Sequence, residues 1–221
     1  MMSLVLKSKV CFSCKIFIKF PLAYLFMKQM GALFVISVLI LVLVAIWFLV
    51  GVKVSMSNEQ LNYTVIEELG DGVEIRQYGR STFISADAKK DSNSGFRALS
   101  GYIFGKNKNG VKIAMTAPVI SRQEEHVLHM SFVLPEGYDV DNAPYSLDEA
   151  ISIHDVSPRK LAGIRFSGYV TENKIESRRL ILEKNLSEHG LSTKGEFFLM
   201  RYNPPWFPPM IMRNEIAVEV Q

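Results

Sequence analysis

The residues best able to do chemistry can be weighed by type and spacing. Cys11-Phe-Ser-Cys14 is a thiol pair. A redox role would need the βαβ setting of thioredoxin-type pairs, and zinc would need two further ligands at suitable spacing. Neither is present, and no cysteine follows Cys14, so thiol catalysis is excluded from the rest of the chain. The histidines are His126, His129, His154 and His189. Val127, Leu128, Met130 and Phe132 predict a strand, on which His126 and His129 point to opposite faces and make no metal pair. His154 falls on another predicted strand, and His189, beside Gly190 at a helix end, suits a surface or capping role. Glu67, Glu68, Glu215 and Tyr78 could exchange protons, but they form no nucleophile–base–orienter set. Glu215 is expected to tie the last strand to Arg213 or to a backbone amide. Gly101-x-x-x-Gly105-Lys106 is one residue short of a phosphate loop, carries Asn107 where magnesium needs Ser or Thr, and ends a helix instead of starting one. The expectation is a protein that is not an enzyme.

What remains is binding chemistry. In Asn203-Pro-Pro-Trp-Phe-Pro-Pro-Met210 two proline pairs stiffen a loop and cut the entropy lost when it closes on a partner. Trp206 and Phe207 offer flat apolar faces. They can stack on a planar ligand, plug one end of the fold, or touch a bilayer interface.

These residues must be positioned by the rest of the chain, whose charges are segregated. The six lysines Lys7, Lys9, Lys15, Lys19, Lys28 and Lys53 precede Asn58, with no arginine and no acid, out of 25 basic and 22 acidic residues in all. The remainder is therefore slightly acidic, with no basic surplus for phosphates, and no nucleic-acid partner is expected. Gly31 to Val52 is free of charge and long enough, at about 1.5 Å per residue, to span a bilayer core. It exceeds the usual apolar core of a signal peptide and lacks a good small-residue cleavage site, so a retained anchor is expected. Five of the lysines precede it, which places the N-terminus in the cytoplasm and the domain on the non-cytoplasmic, periplasmic or extracellular side. Val10 to Met27 is a weaker apolar stretch, and Met27 or Met30 would be a more ordinary translation start. The expected plan is a basic, partly apolar segment 1–30, a transmembrane helix 31–52, a linker 53–62 and a domain 63–221.

Within the domain, period-two alternation predicts strands at Val73–Tyr78 and Thr82–Ala88. Asp91-Ser-Asn-Ser94 can cap a helix whose Phe96, Leu99, Tyr102 and Ile103 share one face, and strands follow at Lys112–Ile120 and His126–Leu134. The order then repeats: strands Ile151–Val156 and Leu161–Val170, a helix Glu172–His189 with Ile175, Leu180, Leu182 and Leu186 apolar, and strands Glu196–Tyr202 and Glu215–Val220. A β-β-α-β-β unit used twice should pack into one barrel-like core with two helices outside.

Several strings stand in order along this plan: Val73-Glu-Ile-Arg-Gln-Tyr78, Phe96-Arg-Ala-Leu99, Tyr102-Ile-Phe-Gly105-Lys-Asn107, Lys112-Ile-Ala-Met-Thr-Ala-Pro-Val119, Phe166-Ser-Gly-Tyr169, Tyr202-Asn-Pro-Pro205 and Arg213-Asn-Glu-Ile216. Together they closely resemble the SOUL haem-binding family over about residues 63–220. The resemblance implies an α+β fold, a distorted antiparallel β-barrel from a duplicated β-β-α-β-β unit with two flanking helices. It implies a non-enzymatic binder that sequesters or transfers haem or another tetrapyrrole. The ligand would lie between the first helix of the domain (Phe96, Arg97, Leu99, Ser100, Ile103) and the loop bearing Trp206 and Phe207, with Arg97 free to pair with a propionate or to remain solvated. Some relatives carry a histidine just before the tyrosine of the first string; Gln77 stands there, leaving Tyr78, Met115 or no protein ligand, so the axial ligand is unknown. The alternative is a small-molecule or peptide-binding effector-type module of gyrase-inhibitor-like fold, in which haem is incidental.

Overall fold

The computed structural model describes residues 14–57, 59–88, 93–124 and 127–221, with side chains of the first helix described from 26 to 53. Cys11, Asp91, Ser92 and His126 lie outside the described residues. The chain divides into Met1–Val50 and Gly51–Gln221. Residues 14–50 belong to one long helix, α1 (Cys14–Ser57), whose stretch Phe26–Lys53 is long and apolar enough to cross a bilayer as an anchor or a signal sequence. It is apolar all round, as a lipid-facing helix must be when no core covers it.

The second unit is α+β. Its strands are β1 (Glu59–Gln60), β2 (Tyr63–Gly70), β3 (Val73–Tyr78), β4 (Ser81–Ala88), β5 (Thr116–Ala117), β6 (Val119–Glu124), β7 (Val127–Val133), β8 (Ile151–Val156), β9 (Arg159–Phe166), β10 (Thr193–Arg201) and β11 (Asn214–Val220); its helices are α2 (Ser94–Ile103) and α3 (Glu172–Glu188). Nine strands form one antiparallel sheet in the order β2-β3-β9-β11-β10-β6-β7-β4-β8, and β1 pairs with β5 in parallel. Setting β2 aside, the order reads the same when β3, β9, β11 and β10 are exchanged for β8, β4, β7 and β6. That is the pairing a duplicated β-β-α-β-β unit produces.

Among the described residues no ladder joins the ends of this order, so the sheet is not closed by hydrogen bonds as an ideal barrel would be. The ends are linked through the chain. Tyr78 pairs with Arg159 in the β3–β9 ladder and Ser81 with Val156 in the β4–β8 ladder. The links Gly79-Arg80 and Ser157-Pro158 thus carry one two-stranded ribbon from one end of the order to the other.

Alternation sorts side chains between two faces. On the helix side, α2 buries Leu99, Tyr102 and Ile103 with Ile84, Ala86, Met130 and Phe132 of β4 and β7. Likewise α3 buries Leu182 and Leu186 with Ile164, Phe166, Ile216 and Val218 of β9 and β11. The opposite, inner face carries Tyr78, Phe83, Ile120, Leu161, Phe198, Met200 and Tyr202. The helix ends follow local chemistry. Thr171 caps α3 by accepting a hydrogen bond from Lys174 N at 3.4 Å, and α2 stops at Gly105, whose φ of +102° and 3.1 Å clearance to Gly110 O leave no room for a β-carbon. Asn93 is the residue at which α2 begins, with φ −92° and ψ −8°.

Some expected elements shift. Strand β2 precedes the first one read from the pattern, because most of its residues face solvent and leave no apolar alternation. The Lys112–Ile120 strand is divided: only Thr116–Ala117 and the segment from Val119 are extended in ladders, flanking a cis Ala117–Pro118 bond. Leu180 faces solvent instead of the core.

Candidate functional site

The inner face holds the most concentrated charge. Glu215, fully buried on β11, receives Arg76 Nη1 at 2.5 Å, Tyr202 Oη at 3.2 Å, and both Nε and Nη2 of Arg213 at 2.8 Å. Arg76 also donates to Glu74 at 2.7 Å, and Arg213 donates to Tyr63 Oη at 2.9 Å and stacks 3.8 Å over the Tyr202 ring. Burial alone would lower the pKa of both arginines, but the Glu215 carboxylate outweighs it and holds them above their ordinary range. Burial, then the charge of Glu215, holds the Tyr202 phenol high and protonated. The Glu215 carboxylate is fully buried and filled by these donors, so the network ties strands together. Glu215 does bind Arg213, and its second guanidinium partner, Arg76, comes from the string Val73-Glu-Ile-Arg-Gln-Tyr78 some 139 residues away.

Two of the described histidines lie on the inner face. His129 pairs with Asp87 at 2.6 Å and His154 stacks on Phe83 at 6.2 Å, both on the inner face beside a cavity of about 310 Å³. Burial, then Arg159, lowers the pKa of His154. His189 caps α3 through Asn185 O at 2.8 Å. Gln77 donates to the carbonyls of Tyr78 and Arg159, which is a structural role at the ribbon bend. Tyr78 is buried against Tyr63, and Met115 packs into the α2 cluster. Among the described residues no group of three or more His, Cys, Asp or Glu could hold a metal ion. A larger cavity of about 680 Å³ opens between β2, β3 and the 134–139 loop, lined by Tyr63, Tyr78 and Tyr138 with Glu59, Glu136 and Asp139.

The helix side is different. Directly paired residues of an antiparallel ladder share a face, so the register lays out one row across five strands: Ile84, Phe132, Val119, Arg201 and Asn214. Phe96 of α2 meets Phe132 edge-on at 5.5 Å and stays half-exposed. The loop 203–212 leaves β10 directly after Arg201. It is folded on itself by Phe207 N→Pro204 O at 3.0 Å and tied down by Gly168 N→Pro209 O at 2.8 Å. Trp206 is 47 % exposed and Met210 80 % exposed, whereas Phe207 is buried.

Of the residues read as a site, the structure leaves Phe96, Arg97 and Trp206 exposed and Ser100 half-exposed, while Leu99, Ile103 and Phe207 are sealed. Phe96 and Trp206 offer apolar faces, and Leu99 and Ile103 stiffen the helix behind Phe96. Arg201, absent from that reading, forms the floor. Its pKa is held down by burial, with no acid opposing. The signal was available only as alternation: Phe198, Met200 and Tyr202 point inward, so Arg201 points the other way. These residues fit the organic part of a tetrapyrrole, with aromatic faces for the ring and arginines for its acid groups. They supply no imidazole for its iron.

A family model described as SOUL heme-binding protein matches residues 58–219. "Heme-binding protein 2" of Homo sapiens is 30% identical over 145 residues, 60% of this chain and 70% of that protein. Its Mus musculus counterpart is 29% identical over 169 residues, 66% of this chain and 80% of that protein. Solved structures share the fold at far lower identity. The EcmrR C-terminal domain superposes with a TM-score of 0.50 at 10% identity, over 72% of this chain and 98% of that one. A hydrolase from Listeria innocua does so at 0.51 and 7%, over 76% and 96%. The chain belongs to the SOUL heme-binding protein family.

Proposed function

We propose that this SOUL-family chain holds haem or a related tetrapyrrole on the helix side of its sheet, between α2 and the 203–212 loop. The observation that carries the reading is the pair of exposed aromatic faces, Phe96 and Trp206, on two stiff elements flanking a strand floor that carries a cation. Phe96 and Trp206 would take the ring faces, and Arg97 and Ser100 would meet polar edges. Leu99, Ile103 and Phe207 would hold these groups in place from behind. Bound haem would supply its own iron chemistry and visible absorption; the chain contributes binding and orientation, with no catalytic constellation of its own. The helix within 31–52 would anchor the domain on the non-cytoplasmic side, where it sequesters the tetrapyrrole or hands it on at the membrane surface.

Titration of the full chain in bilayer nanodiscs with hemin tests this. A saturable Soret shift at micromolar hemin, absent from empty nanodiscs, is expected; a signal that never exceeds the empty discs overturns it. A second reading, an effector-type small-molecule module, is favoured by the 680 Å³ cavity with its tyrosines and acids. A thermal-shift screen separates the two, because a true ligand raises the melting temperature by mass action.

A further inference from the structure

The helix-side row of five contains one charged side chain. Arg201 lies between Val119 and Asn214 in the ladders, an aliphatic and a neutral side chain, and it is half-buried. Among the described residues no carboxylate pairs with it. Arg76 and Arg213, on strands of the same sheet, both reach Glu215. A guanidinium drawn partly out of water without a counter-charge loses hydration and gains nothing in return. Such a group is favourable only when an anion arrives. Its neighbours define what accompanies that anion. Half-buried Val119 continues the row, Phe132 beyond it is sealed under Phe96, whose own ring stays exposed, and the chain runs from Arg201 through Tyr202 into the loop bearing Trp206.

We infer that Arg201 anchors a carboxylate of a flat amphipathic organic acid whose body lies over Val119 and against the exposed side of Phe96. The inference rests on the tetrapyrrole reading above and assigns the acid-binding contact to the strand floor instead of to Arg97 on the helix. A planar guanidinium suits this, since it can present two parallel N–H groups to one carboxylate.

The test compares hemin, which carries two carboxylates, with its dimethyl ester, which carries none, on the full chain in nanodiscs. The wild type should prefer the diacid. Arg201→Met should weaken diacid binding by about 10- to 100-fold, the usual weight of a charge-assisted contact, and change ester binding less than about threefold. Arg201→Lys should recover part of the loss. Arg201→Met should melt no lower than the wild type, because it removes a charge without a partner; should it fail to fold, Arg201→Gln carries the same expectation. Equal diacid and ester affinities in the wild type, or wild-type diacid affinity in Arg201→Met, overturn the inference while the haem reading stands. A loss seen in Arg97→Met and not in Arg201→Met overturns it in favour of the helix. If the wild type binds neither compound, the haem reading falls and this inference falls with it.

Discussion

The two faces of one sheet treat arginine in opposite ways. On the inner face Arg76 and Arg213 converge on Glu215, joined by Tyr202 and Tyr63, and the buried carboxylate accepts from three side chains. On the helix side, one residue from Met200 and Tyr202 along the same strand, Arg201 stands in a row of neutral neighbours. The inner network is closed and therefore structural: a new ligand would have to break a buried ion pair to enter it. The outer cation is open and therefore available. On the proposal above, the conspicuous cluster of charge is the structural region and the single arginine with no carboxylate partner among the described residues is the binding one.

The comparison can be broken most sharply at its centre. Glu215→Gln should cost about 3–5 kcal/mol of stability, since it removes the buried charge on which both guanidinium groups converge, leaving Arg213 without an acid and Arg76 with Glu74 alone. Chemical denaturation measures this directly, and a loss below about 1 kcal/mol would show the network to be incidental. The reverse experiment closes the open face. Val119→Glu places an acid directly across the ladder from Arg201 and should lower hemin affinity about tenfold while leaving the protein folded; unchanged affinity would mean that the ligand never meets this row. Tyr202→Phe removes one hydrogen bond, Tyr202 Oη to Glu215, and should cost about 1 kcal/mol, separating the contribution of the phenol from that of the ion pairs.

The smallest effect concerns pH. Burial depresses the pKa of His154 below its ordinary 6.5, so the folded state resists a proton that the unfolded chain accepts. The contribution of this residue is full above pH 6.5 and is lost as pH falls from there toward the folded value. His154→Gln should therefore narrow the difference in unfolding free energy between about pH 7.5 and about pH 5.5. An unchanged difference would assign the acid sensitivity elsewhere.

Much of the fold was legible because burial leaves a period in the sequence. Val73 and Ile75 alternate with polar neighbours, and Leu99, Tyr102 and Ile103 fall on one helical stripe, so β3 and α2 could be drawn in advance. Strand β2 could not, because Tyr63–Gly70 exposes most of its side chains and owes its extension to backbone pairing with β3. The candidate site was legible in part. Phe96, Arg97 and Trp206 were marked by motif and residue type and do lie exposed, whereas the burial of Leu99, Ile103 and Phe207 depended on which stripe faced the sheet and how the loop folded back.

The sequence alone determined what the chain is made to do in broad terms. In a bilayer the uncharged run from Gly31 to Val52 would satisfy its own backbone only as a helix, and the ordered strings from Val73 to Ile216 mark the family, since both are local properties of the chain. Tertiary structure decided which charges are paired. Arg76 and Glu215 stand 139 residues apart and meet through β3, β9 and β11; Arg201 meets Val119 through the β6–β10 ladder and meets no acid there. Electrostatic balance is a property of neighbours in space, and only the register of the sheet supplies them.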